Sequence, residues 1–145
     1  GLSLGGNLLP AGGGNEKGVW EDKGVVDLNE RVLKLAGLTW DSIVQFPDVL
    51  LESQECKVLI ADAVKLIEQR LSDMPLWGFK DPRCARLLPF WMEVFSHFEL
   101  EVNYIVSIRN PIDIALSLEK RDEISFLKAQ ILWLIHTLPN LQWAQ

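Results

Sequence analysis

The sequence predicts an α/β fold, a parallel sheet flanked by helices, and three observations carry that reading. Residues 101–108, EVNYIVSI, are rich in β-branched and aromatic side chains and almost continuously apolar from Tyr104 to Ile108, the pattern of a strand buried on both faces. Residues 76–80, LWGFK, form a second, shorter strand candidate. Between and around these two segments the apolar residues recur at helical spacing, and strands alternating with helices imply a parallel sheet. Two strands are too few for a doubly wound sheet, so the sheet is expected to be incomplete within this chain.

Taken in order, residues 5–18 hold most of the glycines and read as a surface loop, anchored by Leu8 and Leu9. A helix follows, with Val25, Leu28, Val32 and Leu35 at helical spacing and Gly37 as the residue just beyond its end. Residues 39–51 give mixed signals around Pro47 and are left irregular. From Glu55 to Leu71 the residues Leu59, Ala63, Leu66, Ile67 and Leu71 form one stripe of a longer helix. Asp81 and Pro82 are placed to cap and start another helix, broken near Pro89 and resuming through Trp91, Phe95 and Phe98. Asn110 and Pro111 do the same for a helix interrupted near Arg121, with Asp113 in its first turn. The last helix carries Ile124, Leu127, Ile131, Leu134, Ile135 and Leu138 on one face and is expected to stop at Pro139.

The chain of 145 residues fits one domain, and its 48% hydrophobic composition is enough to fill a core. The formal charge of −6 comes from 14 basic against 20 acidic residues, with no strongly basic segment, which argues against a protein that tracks nucleic-acid phosphates. Cys56 and Cys84 lie in no metal-ligand or C-x-x-C spacing and read as buried free thiols of a reducing, cytoplasmic setting; no metal is expected. No apolar run approaches the roughly eighteen residues that span a bilayer. The chain starts at Gly1 rather than Met and reads as an internal segment of a longer domain. An open strand edge would then favour pairing between chains, a homo-oligomer.

The chemistry is expected beyond the carboxyl ends of the strands, where ligands of open parallel sheets collect. Lys80 leaves the first strand and Arg109 the second, so adjacent parallel strands would bring both to one rim. Arg109 is the residue that packing does not explain. Its guanidinium fork matches phosphate oxygens, and the helix starting at Pro111 adds positive potential beside it. Ser117 lies nearly two turns further, about 10 Å along the same helical face. From the residues alone, Arg109 is equally an ion-pair partner of Asp113, and Ser117 a mid-helix serine bonding back to a carbonyl.

The stretches KGVWEDKGVVDLNERVL, WGFKDPR and above all YIVSIRNPIDIALSLEKRD resemble the sulfotransferases that use 3′-phosphoadenosine 5′-phosphosulfate (PAPS) as donor. The match runs in order through most of residues 5–135; the Arg-Asn-Pro-x-Asp-x-x-x-Ser stretch is its specific part. The resemblance implies a P-loop-like sulfotransferase fold over residues 1–145, with residues 1–23 as a Gly-rich loop region and 76–121 as core strands with a 3′-phosphate motif. It implies that Arg109 and Ser117 bind the donor's 3′-phosphate, that Lys80 steadies the sulfuryl oxygens or the leaving group, and that Glu21 is the base. The acceptor would be a hydroxyl or amine of a small molecule, lipid or carbohydrate. The family's Gly-rich loop for the 5′-phosphosulfate is absent, and AGGGNEKG lacks the Lys-Ser/Thr ending that would replace it. A module that keeps the fold and binds nucleotide without turnover is therefore the alternative, and a P-loop kinase relative a weaker third. Structural readings stand beside these: Glu21 as a first-turn helix carboxylate, Lys80 as an ion-pair partner of Asp81 or of a helix carboxylate, His97 and His136 as structural histidines within helical apolar patterns, and Arg83 on a helix surface or holding an acidic acceptor.

Overall fold

A computed structural model describes residues 1–10, 18–74 and 76–142. Five α-helices make up most of it: α1 (Lys23–Leu35), α2 (Gln54–Asp73), α3 (Leu88–Phe95), α4 (Pro111–Asp122) and α5 (Phe126–Gln142). Two 3-10 helices, Asp48–Glu52 and Pro82–Ala85, join them. Among the described residues no helix is long and apolar enough to cross a membrane.

The parallel sheet expected from the sequence, and with it the P-loop-like sulfotransferase fold, is corrected to a helical architecture. Among the described residues β pairing is confined to two isolated bridges, Ser3 with Trp77 (parallel) and Leu8 with Asp22 (antiparallel). Residues 76–80 thus pair at a single position. Residues 99–110 run without helix, turn or bend and have no ladder partner. Strand propensity is local, whereas a ladder needs a second segment at hydrogen-bonding distance, and single strands are not stable units. The Gly-rich residues 11–17 lie outside the described residues, and with them most of the AGGGNEKG stretch.

The helices form where the apolar spacing places them. In α1, Asp22 is the N-cap, its Oδ1 accepting from the Gly24 N–H at 2.8 Å, and Val25, Leu28 and Val32 are buried. Gly37 has φ +67° just beyond the helix end, as its sequence position predicts. Ser53 caps α2 by accepting from the Cys56 N–H at 3.1 Å. Leu59, Ala63 and Ile67 of α2 then pack onto α1 and onto Phe90, Trp91 and Val94 of α3, forming the main core. Trp77 and Phe79 join this core, with Phe79 4.7 Å from the Trp91 ring. Gly5 has φ +89°, and a Cβ there would lie 2.8 Å from Asp22 Oδ2.

Helices α4 and α5 form a separate hairpin around Ala115, Ile124, Ala129 and Leu132. Asn110 caps α4 through its Oδ1 and the Ile112 N–H at 2.9 Å, and Glu123, at φ 55°, reverses the chain. Two sequence expectations for α5 are corrected. The helix continues past Pro139 to Gln142. Asn140 holds that last turn, its amide donating to Ala85 O at 3.0 Å and His136 O at 2.7 Å. The expected apolar stripe also faces outward in part: Leu127, Leu134 and Leu138 are exposed, while the hairpin buries the small Ala129 and Leu132. Ala115 and Ala129 share this core, and small residues there let the two helices approach.

Candidate functional site

Glu21 and Lys80, 59 residues apart in the chain, meet. The carboxylate Oε1 of Glu21 and the ammonium Nζ of Lys80 are 3.1 Å apart; the Glu21 side chain is nearly buried and that of Lys80 is open to solvent. The segment before α1 is fixed by backbone bonds, Leu9 N–H to Glu21 O at 2.8 Å and Lys23 N–H to Asn7 O at 2.9 Å. Glu21 therefore precedes the cap of α1 and lies outside its first turn, so the helix-dipole role weighed from the sequence is not its position. Beside it, Trp20 takes φ +56°, a backbone conformation rare for a bulky residue, and is exposed.

Asp81, the expected ion-pair partner of Lys80, is used elsewhere. Its Oδ2 accepts from Asn29 Nδ2 at 2.9 Å, and its Oδ1 accepts from the Arg83 N–H and Nη1, both at 2.9 Å. Arg83 is bonded to both Asp81 and Glu30, which holds its pKa up against the desolvation that lowers it, and binds the 3-10 helix Pro82–Ala85 to α1. Asn29 completes the network by accepting from Trp91 Nε1 at 2.9 Å. The Cys84 thiol, 3.3 Å from Asn29 Nδ2, is pushed up to about 12 by burial, with the Asp81 charge acting in the same direction. It is an inert thiol rather than a nucleophile.

Arg109 and Ser117 lie in the other half of the molecule. Arg109 is exposed and, among the described residues, makes no ion pair with Asp113 or any other carboxylate. Its carbonyl accepts from Trp133 Nε1 at 3.0 Å, which pins the start of α4 to α5. Ser117 is exposed on α4, one turn from Asp113, while Ala115 faces the hairpin core. Among the described residues no hydrogen bond or ion pair joins Arg109 or Ser117 to Glu21 or Lys80. The shared rim expected for Lys80 and Arg109 depended on the parallel sheet and is withdrawn with it.

The histidines differ from each other. His97 lies beyond α3, half-exposed and 3.9 Å from Glu93, rather than in the core. His136 is packed inside α5 with Nδ1 2.7 Å from Leu132 O, and burial lowers its pKa below the ordinary histidine value. A surface groove of about 480 Å³ passes His97, Glu93, Lys57 and Ile60 and includes none of the four expected site residues. Among the described residues no group of three or more His, Cys, Asp or Glu side chains is placed to hold a metal ion.

Sequence reasoning missed the ion pair between a fully buried carboxylate and a partly buried arginine in this half. Asp22 caps α1 and also accepts from Arg70, Nε at 2.8 Å and Nη2 at 3.1 Å, with no exposed carboxylate surface. That bond raises the Arg70 pKa. Asn29 was also missed, although it stands in the buried stripe of α1, four residues after Val25 and three before Val32. A polar side chain at such a position signals a buried network.

Compared with known proteins, the chain matches no family model, no curated protein and no solved structure.

Proposed function

We propose that the chain binds 3′-phosphoadenosine nucleotides through Arg109 and Ser117 and contributes Glu21 and Lys80 to sulfuryl transfer from PAPS to a hydroxyl or amine. The observation that carries the reading is Arg109: an exposed guanidinium without a carboxylate partner among the described residues, directly before the capped N-terminus of α4. A phosphate meets there a planar fork of donors and the positive end of a helix. Ser117 Oγ offers a further hydroxyl on the exposed flank of the same helix. In the transfer, the acceptor oxygen bonds to sulfur as the bond from sulfur to the nucleotide's phosphate oxygen breaks. Glu21 takes the acceptor's proton, and Lys80 faces the departing phosphate oxygen; positioning and charge supply most of the rate.

The acceptor belongs to a small molecule, lipid or carbohydrate. Two free thiols, Cys56 and Cys84, support a reducing, cytoplasmic setting. Association between copies of the chain belongs to the same reading.

One observation favours a second reading, nucleotide binding without turnover. Lys80 is already engaged by Glu21, and nothing described connects that pair with Arg109. Titration with 3′-phosphoadenosine 5′-phosphate tests both readings. Binding is expected to weaken by about 1.5–3 kcal/mol in Arg109→Ala, the worth of a hydrogen bond to a charged group. Absence of binding, or binding indifferent to Arg109→Ala and Ser117→Ala, overturns the nucleotide site. Release of the desulfated nucleotide from PAPS, lost in Glu21→Gln, separates transfer from binding alone.

A further inference from the structure

Residues 101–109 carry strand-like sequence but no assigned secondary structure and no pairing among the described residues. They run without turn or bend, every residue has negative φ, and among the described residues no backbone group from Leu100 to Ile108 has a hydrogen-bond partner. Side chains alternate across such a segment. Val102, Tyr104, Val106 and Ile108 share one face, and Tyr104 packs edge-on against Phe95 of α3, which turns that face toward the helices. Glu101, Asn103, Ile105, Ser107 and Arg109 share the other, with Ile105 91% exposed at its centre.

We infer that this segment pairs antiparallel with the same segment of a second copy, about a two-fold axis through Ile105. In that register each residue stands opposite the one equally far on the other side of Ile105. Glu101 faces Arg109 of the partner at both ends, Tyr104 faces Val106, Asn103 faces Ser107, and Ile105 meets its own copy. Both charges are exposed and without an ion-pair partner among the described residues. Opposite charges, an aromatic with a β-branched residue, and a two-fold arrangement are the pairings that stabilise an antiparallel, isologous strand contact. Shifting the register by two residues brings Glu101 opposite Pro111 in one direction; in the other, Glu99 takes its place opposite Arg109, but Tyr104 then meets its own copy and loses Val106.

The choice of edge follows from Trp133. Its indole already takes the Arg109 carbonyl, and backbone groups of alternate residues point to opposite edges. The edge bearing the groups of residues 102, 104, 106 and 108 is thus the one used, with about eight backbone hydrogen bonds across the axis. Ile105 and the Glu101–Arg109 pairs then fall at the non-hydrogen-bonded positions, where opposing side chains approach most closely. The contact does not rest on nucleotide binding. Because both use Arg109, a nucleotide phosphate there competes with the partner's Glu101.

Sedimentation velocity of the 145-residue chain over a concentration series tests the pairing. A reversible dimer is expected, weakened about tenfold by Glu101→Lys, which leaves the proposed phosphate ligands untouched, and similarly by Arg109→Glu. The swap Glu101→Arg with Arg109→Glu restores it. Hydrogen exchange on the unmodified chain gives an independent reading: the amides of residues 102, 104, 106 and 108 become protected as concentration rises, and those of 103, 105 and 107 do not. A chain that stays monomeric, a dimer indifferent to the single reversals, a swap that fails to restore, or protection on the other set of amides overturns the proposal.

Discussion

The α1–α3 half and the α4–α5 hairpin are apolar in similar proportion and bury that apolar sequence very differently. In the first half Val25, Val32, Ile67, Phe90 and Val94 are almost wholly enclosed, and Asn29, Asp22 and Asp81 are hydrogen-bonded within it, while the Trp77 indole N–H is buried without a partner. In the hairpin, among the described residues, the buried apolar cluster is Ala115, Ile124, Ala129 and Leu132, while Leu116, Leu127, Leu134 and Leu138 are exposed. Few ties join the halves: Asn140 to Ala85, Lys128 to Asp41 at 2.6 Å, and Tyr104 against Phe95. Helical amphipathicity therefore measures what a helix could bury, and the number of surrounding elements decides what it does bury.

The comparison is broken most directly by paired deletions in the two cores. Trp91→Ala removes the largest buried side chain and leaves the Asn29 carbonyl without its donor, and should cost about 3–5 kcal/mol in urea unfolding. Leu132→Ala, in the thin core of the hairpin, should cost about 2 kcal/mol and loosen α4–α5 without unfolding α1–α3. Equal and global losses would show that the halves form one cooperative unit. Between these two in size is Asp22→Ala, which removes a helix cap and leaves Arg70 unpaired, at about 2–3 kcal/mol confined to the first half.

The smallest effect sharpens the comparison through pH. Burial lowers the His136 pKa in the folded state, with the Arg86 charge acting in the same direction and its hydrogen bond to Leu132 O acting against both. The unfolded chain then binds more protons, so the hairpin keeps its full stability above the ordinary value near 6.5 and loses it as pH falls through the depressed one. His136→Gln should flatten this limb of the stability curve. Asp41, whose pKa is lowered first by its bond to Lys128, contributes a separate loss as pH falls below its ordinary value of 3.8.

What was legible in the sequence follows the same division. Helix positions, the Asn110–Pro111 start, the Gly37 end and the interruption at Arg121 were readable because caps and spacing act within a few residues. The sheet was misread because the run Tyr104–Ile108 encodes strand character locally, while its pairing depends on segments the sequence does not identify. Pro139 reads as a stop from its neighbours alone, whereas Asn140's distant bond to Ala85 carries the helix past it. Of the site residues, the approach of Glu21 to Lys80 was only implied by resemblance. The buried Asp22–Arg70 pair and the Asn29 network had local signals, an acid directly before a helix and an amide within an apolar stripe.

Gly5 sets a limit on how residues 1–10 can drift. At Gly1 and Gly6 a methyl group would meet nothing, so most small replacements there should pass unnoticed. At Gly5 the same methyl would strike the Asp22 carboxylate, in a backbone conformation that L-residues resist, and prise it from Arg70. A library randomised over this stretch should therefore return one fixed letter among tolerant neighbours, dictated by an arginine sixty-five positions downstream.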